Sequence, residues 1–149
     1  VRDAVEYARR NMNRIWKQKN ATERIQLNIE ADLPPVHADK QGLSTVIQLL
    51  LDNALKFSDA DVHLIAKPQK DKVYIAVKDQ GIGIAPSERK KIFDTFYQTD
   101  SSSTRRYGGT GVGLAIVRLI LDNHQTHINV DSEVGKGSTF WFLLPAVEI

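Results

Sequence analysis

The sequence predicts an α/β two-layer sandwich: about five strands in one sheet, with three main helices on one of its faces. Apolar residues recur with period two in some segments and with the helical period in others, so strands and helices are mixed. The two kinds do not alternate strictly, which argues against a parallel sheet held between two helix layers. At 149 residues, 42% of them hydrophobic, the chain has the size of one domain and can bury a core. Residues 1–149 therefore read as a single domain.

Each element follows from its own stretch. Val1 to about Lys19 lacks glycine and proline and reads as a helix. IQLNIE (25–30) alternates apolar and polar residues and reads as a strand. DLPPVHAD (32–39) is a loop, and Asp39 suits the N-cap of a long helix through Phe57. On that helix Leu43, Val46, Ile47, Leu50, Leu51, Ala54 and Leu55 share one face. VHLIAK (62–67) and KVYIAVKD (72–79) read as strands joined by the polar turn PQKD. QGIGIAP (80–86) is a loop and SERKKIFDTFY (87–97) a short helix with an aromatic end. QTDSSSTRRYGG (98–109) is polar and glycine-flanked, suited to a mobile flap. Gly111 to Asn123 reads as a helix buried on the sheet, and THINVDS and STFWFLLP close the chain as strands around a Glu-Val-Gly-Lys-Gly turn.

Composition removes several function classes. The formal net charge is +2, from 20 basic and 18 acidic residues, without the basic excess of a nucleic-acid binder. There is no cysteine, so no disulfide framework and no thiolate metal site. No apolar run approaches the ~18 residues of a membrane span, and VRDAVEYARR does not resemble a signal peptide. These features lead us to expect a soluble, cytosolic chain without direct membrane contact.

Four glycines, at 108, 109, 111 and 113, lead into an apolar helix. A dinucleotide fingerprint would need a further glycine where Leu114 stands, and the segment follows a polar loop rather than a strand. A phosphate-binding P-loop fails as well, because no Gly-Lys-Ser/Thr follows. A flexible connection and a backbone that binds phosphate through free N–H groups at a helix start both fit this segment. In KDQGIGIAP, Asp79 ends a strand and Gly81 and Gly83 follow. Taken alone, that is a Gly-rich turn with a surface aspartate. Its functional reading is a carboxylate that accepts the exocyclic amine of adenine and repels the carbonyl of guanine, with glycines that admit a flat base. On the long helix, Asp52, Asn53 and Lys56 form a stripe beside the core face. Asn53 offers an amide oxygen to Mg²⁺ and Lys56 a charge to phosphate, although any one of them alone fits a solvated helix face.

Together these stretches resemble the catalytic ATP-binding domain of the sensor histidine kinases. LLLDNALKFS is similar to the N box of that family, KDQGIGIAP to the G1 box, IFDTFYQTD to the F box and GGTGVGLAIV to the G2 box, in the family's order and spacing. The resemblance covers essentially the whole chain, including DLPPVHAD before the N-box helix and the closing SEVGKGSTFWFLLP. It implies the Bergerat fold shared with gyrase, Hsp90 and MutL ATPases: a mixed sheet with ATP held under a mobile lid, here residues 98–109. Carried over by position, Asn53 would coordinate Mg²⁺ and Lys56 would lie near the phosphates. Asp79 would read adenine between Gly81 and Gly83, and Phe93 and Phe96 would anchor the lid. Arg105, Gly109, Thr110, Gly111, Gly113 and Leu114 would form the phosphate side.

The chain departs from the family pattern at several positions. Leu49 stands where these kinases carry a polar residue and gyrase-like ATPases a glutamate, so hydrolysis by an activated water is not expected. Leu49 falls on the polar stripe and would border the nucleotide. Gln98 replaces the arginine that often ends the F box, and Arg105 or Arg106 would compensate. His124-Gln125-Thr126 replaces the usual His-Gly-Gly and reads as a structural variation. His37, His63, His124 and His127 all lack the setting of a phosphoacceptor and read as structural or surface residues. The resemblance thus implies a domain that presents the γ-phosphate of ATP to a histidine on a dimerisation domain, for onward transfer to a response-regulator receiver domain; a hydrolytic ATPase and, given Leu49 and Gln98, a non-catalytic nucleotide-binding regulatory module are the alternatives. The parent protein would be a homodimer and this chain a monomer.

Overall fold

The longest helix organises the fold, and its start follows from one side chain. Asp39 holds an extended backbone (φ −71°, ψ 124°) and its carboxylate accepts the Gly42 N–H, which caps α2 (Lys40–Phe57) as expected. All seven predicted core positions of α2 are buried. In the computed structural model, which describes residues 1–15, 24–58, 60–88, 91–93 and 113–147, α2 lies between α1 (Arg2–Ile15) and α3 (Gly113–Asn123). The strands are β1 (Ile25–Ile29), β2 (Val62–Gln69), β3 (Lys72–Lys78), β4 (Asn129–Glu133) and β5 (Gly137–Pro145).

The sheet order is β1-β2-β3-β5-β4. β1 runs parallel to β2, with α2 as the crossover, and the other neighbours are antiparallel. The inward rows of Val62, Leu64 and Ala66, of Val73, Ile75 and Val77, and of Phe140, Phe142 and Leu144 pack against the helices. Each large apolar side chain so buried contributes roughly 1.5–3 kcal/mol. The opposite sheet face carries polar and aromatic side chains, including Tyr74 beside Trp141, whose indole donates to Asp131. A two-layer sandwich with a mixed five-stranded sheet is the predicted class.

Several boundaries differ from expectation. β2 continues through Pro68 and Gln69, so the turn is only Lys70-Asp71, with Lys70 at φ +59°. Pro68 stands opposite Val73, next to the turn-flanking pair Gln69–Lys72. In a two-residue hairpin that neighbouring pair is the non-hydrogen-bonded one, so the missing N–H costs no bond to β3. The expected helix over 87–97 is, in its described part, two 3₁₀ turns, Pro86–Glu88 and Lys91–Phe93. Ser87 to Lys91 are all polar and give an α-helix no face to bury, whereas Ile92 and Phe93 are buried at the end of the stretch. Residues 94–97 and the helix start expected at Gly111 lie outside the described residues. α3 is half buried rather than sunk on the sheet. Val117 and Leu121 are enclosed, while Ile116 and Leu119 face outward, because the helix packs mainly on α2 by one side. β4 begins at Asn129, three residues later than expected, since Thr126 is engaged in ending α3.

Candidate functional site

Asp79 is the residue on which the site is built. It follows the last residue of β3, and its backbone N–H still donates to the Ser138 carbonyl of β5, so strand pairing carries it to the sheet end. The residue is only 5% exposed. Two backbone donors meet one carboxylate oxygen: Gly81 N–H at 2.9 Å and Ser138 N–H at 3.3 Å, both on Oδ1. Oδ2 has no hydrogen-bond partner among the described residues. Burial raises the Asp79 pKa above the ordinary carboxylate range, and the Gly81 and Ser138 bonds oppose that rise. The result is a buried acceptor, oriented by the backbone at Oδ1 and without a hydrogen-bond partner at Oδ2 among the described residues. A buried polar atom without a partner is costly, and a ligand that donates to it removes the cost.

The walls around this carboxylate are backbone. A Cβ on Gly81 would run into the Phe57 carbonyl at the end of α2, and one on Gly83 into the Glu133 carbonyl. A Cβ on Gly137 would meet the carbonyl of Asp79 itself. Gly83 and Gly137 also hold positive φ, +74° and +112°. The loop after β3 is thereby pressed against α2 on one side and the β4–β5 turn on the other. Gly135 N–H donates to the Ile82 carbonyl and Ile84 N–H to Ser132 Oγ.

The helical stripe lies alongside. Leu49, Asp52, Asn53 and Lys56 are all half-buried, one turn after another on α2. Lys56 Nζ pairs with Asp52 Oδ2 at 3.1 Å, which holds the ammonium along the helix. The Asn53 amide has no protein partner among the described residues. Leu49 meets the other boundary: a Cβ on Gly113, the first residue of α3, would stand 3.7 Å from Leu49 Cδ2. The stripe thus spans from the start of α3 at Leu49 to the glycine loop at Phe57, about 12 Å along the axis. Leu114 is half-buried against the core, and Phe93 packs edge-on against Phe140 with ring centres 6.2 Å apart.

Gly81 therefore meets the end of the helix that carries Asn53 and Lys56, Gly83 meets the β4–β5 turn, and Gly113 meets the middle of the helix at Leu49. Phe93 is a core side chain. Phe96, Gln98, Arg105, Arg106, Gly109, Thr110 and Gly111 lie outside the described residues. His124 has a structural setting, whereas His37 and His127 are exposed. His124 bridges two elements, accepting Asp39 N–H at Nε2 (2.9 Å) and donating from Nδ1 to the Ile120 carbonyl (2.8 Å). His63 bonds Asn28 and His127 bonds Asp122. Among the described residues no group of three or more acidic or histidine side chains could hold a metal ion.

Sequence reading missed four contributors. Gly137, Ser138 and Ser132 sit in a stretch read only as a turn and two strands. Arg24, just before β1, donates to the carbonyls of Ser58 (2.6 Å) and Leu55 (3.0 Å) and so completes the C-terminal end of α2. Only the Ser-x-x-Gly-x-Gly-Ser spacing of residues 132–138 hinted at the first three, and nothing local marked Arg24.

Residues 38–148 match the family profile described as histidine kinase-, DNA gyrase B-, and HSP90-like ATPase. The sensor histidine kinase WalK of Bacillus subtilis is 39% identical over 117 residues, which cover 76% of this chain and 19% of that protein. The circadian input-output histidine kinase CikA of Synechococcus elongatus is 40% identical over 123 residues, 81% of this chain and 16% of that protein. The chain thus spans a fifth or less of these two relatives. The crystal structure of full-length ShkA in complex with AMPPNP superposes with a TM-score of 0.79 at 29% identity, over 99% of this chain and 30% of that one. The three helices and the open mixed sheet are the Bergerat arrangement, and the chain belongs to the histidine kinase-, DNA gyrase B- and HSP90-like ATPase family, with sensor histidine kinases as its relatives.

Proposed function

We propose that this chain is the catalytic ATP-binding domain of a two-component sensor kinase, spanning residues 1–149 as one unit. It presents the γ-phosphate of ATP to a histidine on the parent's dimerisation domain, from which a response-regulator receiver domain takes it. The observation that carries this reading is the Asp79 carboxylate: buried, held at Oδ1 by two backbone donors, and without a partner at Oδ2. Adenine offers an N–H donor from its exocyclic amine, whereas guanine offers a carbonyl that a carboxylate repels. Glycine at 81, 83 and 137 lets backbone close directly on backbone around this carboxylate, which holds it in place for a base.

The residues present also fit Mg²⁺ bound through ATP. Mg²⁺ takes one or two protein oxygens and completes its shell with phosphates and water. Asn53 offers one unengaged amide oxygen beside the Lys56 charge. Bound there, the ion would neutralise phosphate charge. The chain's own residues orient the base, place a cation near the phosphates and leave the nucleophile to a partner domain, in keeping with a transfer that depends on positioning and charge. Residues 98–109, with Arg105, are assigned to the ATP lid, Gly109, Thr110, Gly111, Gly113 and Leu114 to its phosphate side, and Phe93 and Phe96 to its anchor. Among the described residues no helix is long and apolar enough to cross a membrane, and a cytoplasmic site of action follows from the ATP requirement.

Leu49 favours kinase over ATPase, because its side chain has no group to accept a proton from water. The test is incubation of the chain with γ-labelled ATP and Mg²⁺, alone and with the parent's dimerisation hairpin in trans. Label is expected on the hairpin only, and Asn53→Ala abolishes it. Steady phosphate release by the chain alone, lost in Asn53→Ala, would support a hydrolytic ATPase instead.

A further inference from the structure

One hydroxyl in β4 joins the backbone pieces that hold Asp79. Ser132 Oγ accepts the Ile84 N–H at 2.7 Å, donates to the Gly137 carbonyl at 3.0 Å and lies 2.7 Å from Ser138 Oγ. A hydroxyl carries a single proton, so with that proton on Gly137 the Ser138 hydroxyl is the donor of the shared pair. Ile84 closes the glycine loop that begins at Gly81. Gly137 and Ser138 open β5, and Ser138 N–H is one of the two donors on Asp79 Oδ1. The other donor, Gly81 N–H, belongs to the loop tethered at Ile84. Both arms that orient the carboxylate therefore run back to Ser132.

From this geometry we infer that Ser132 is a positioning residue for base recognition. Acting through Ile84, Gly137 and Ser138, it fixes where Asp79 Oδ2 points and so sets the preference for adenine over guanine. The inference rests on the adenine reading of Asp79. A hydroxyl that only steadied the fold would affect every nucleotide alike. A hydroxyl that aims the carboxylate affects only the base that the carboxylate recognises. The difference between these two behaviours can be read as a ratio.

The experiment is calorimetric titration of the 149-residue chain with ATP and, by competition, GTP, both with Mg²⁺. Ser132→Ala, Ser132→Thr and Asp79→Asn are compared with the unmodified chain. Ser132→Ala is expected to lose about three- to tenfold in ATP affinity while GTP affinity stays within about twofold. Ser132→Thr keeps the hydroxyl and is expected to keep the ATP-over-GTP ratio. Equal losses for both nucleotides in Ser132→Ala, or an unchanged ratio, overturn the inference. If Ser132→Ala does not fold, Ser132→Cys keeps the volume with a weaker acceptor and is read by the same ratio. Unaltered ATP affinity in Asp79→Asn would take down the adenine reading and this inference with it. A normal Asp79→Asn loss beside an unaltered Ser132→Ala ratio would take down the positioning role alone.

Discussion

The two ends of α2 are finished differently. At the N-terminal end the polar groups close on one another. Asp39 caps Gly42, the Asp39 N–H donates to His124, and His124 donates in turn to the Ile120 carbonyl of α3. At the C-terminal end Arg24 satisfies the carbonyls of Leu55 and Ser58, and Gly81 is pressed against the Phe57 carbonyl. Next to that contact, the buried Asp79 carboxylate keeps one oxygen without a partner among the described residues. One end is capped by these bonds and joins two helices. The other tolerates an incomplete hydrogen-bond inventory, and a group left wanting in a buried place is where a ligand gains most.

The sharpest way to break this contrast is Asp79→Asn. The amide oxygen can keep the bonds from Gly81 and Ser138, but the charged acceptor facing adenine is gone. ATP affinity is expected to fall at least about tenfold, on the order of 1.5–3 kcal/mol. Stability of the free chain should move the other way. Because the folded Asp79 pKa is raised by burial, folded and unfolded chains are both protonated in strong acid and the group costs nothing there. As pH rises through the ordinary carboxylate range, the unfolded chain ionises first, so stability falls until the folded carboxyl ionises too, and the loss then stays. Asp79→Asn removes that loss, so at neutral pH the free variant melts no lower than the unmodified chain. Melting curves from about pH 4 to 8 and ATP titration check both halves. A folded variant with unchanged ATP affinity ends the assignment.

The opposite end sharpens the contrast by behaving conversely. His124→Ala leaves the Asp39 N–H and the Ile120 carbonyl without their side-chain partner, and is expected to cost about 1–2 kcal/mol of unfolding free energy. Denaturant titration measures it. Since the affected bonds lie at the far end of α2, ATP affinity should stay within about twofold, as for distant independent sites. An affinity loss as large as that of Asp79→Asn would mean that the two ends are not separable.

What was legible in the sequence follows the same division. The core face of α2 and the Asp39 cap were readable because both are local: a helical period and a capping residue at fixed spacing. Asp79, Gly81 and Gly83 were readable as a pattern, and the packing supplies its physical reason in the Phe57 and Glu133 carbonyls. Ser132, Gly137 and Arg24 were not, since their partners lie 48, 5 and up to 36 residues away or in a turn whose role depends on Asp79. The stretch expected as one helix over 87–97 is, where described, two 3₁₀ turns, because helix propensity alone does not hold a polar run such as Ser87 to Lys91 that has no face to bury.

The smallest expected effect tests the helix end that lies beside the Asp39 cap. Gln125 holds φ +59° where the family pattern has the first glycine of His-Gly-Gly. Its N–H donates to the Asp122 carbonyl and the Thr126 N–H to the Leu121 carbonyl, both at 3.0 Å. That is the Schellman arrangement, in which the residue just past the helix takes a left-handed conformation and glycine is the usual occupant. A side chain there carries strain that the closing bonds and the Thr126 hydroxyl, bonded to Leu143 at 2.7 Å, outweigh. Gln125→Gly relieves the strain but adds backbone freedom to the unfolded chain, so the gain is limited to about 0.5–1 kcal/mol. Chemical denaturation of the free chain measures it, with ATP affinity unchanged. A loss of stability instead would show that the Gln125 side chain, and not the left-handed backbone, is what this helix end requires.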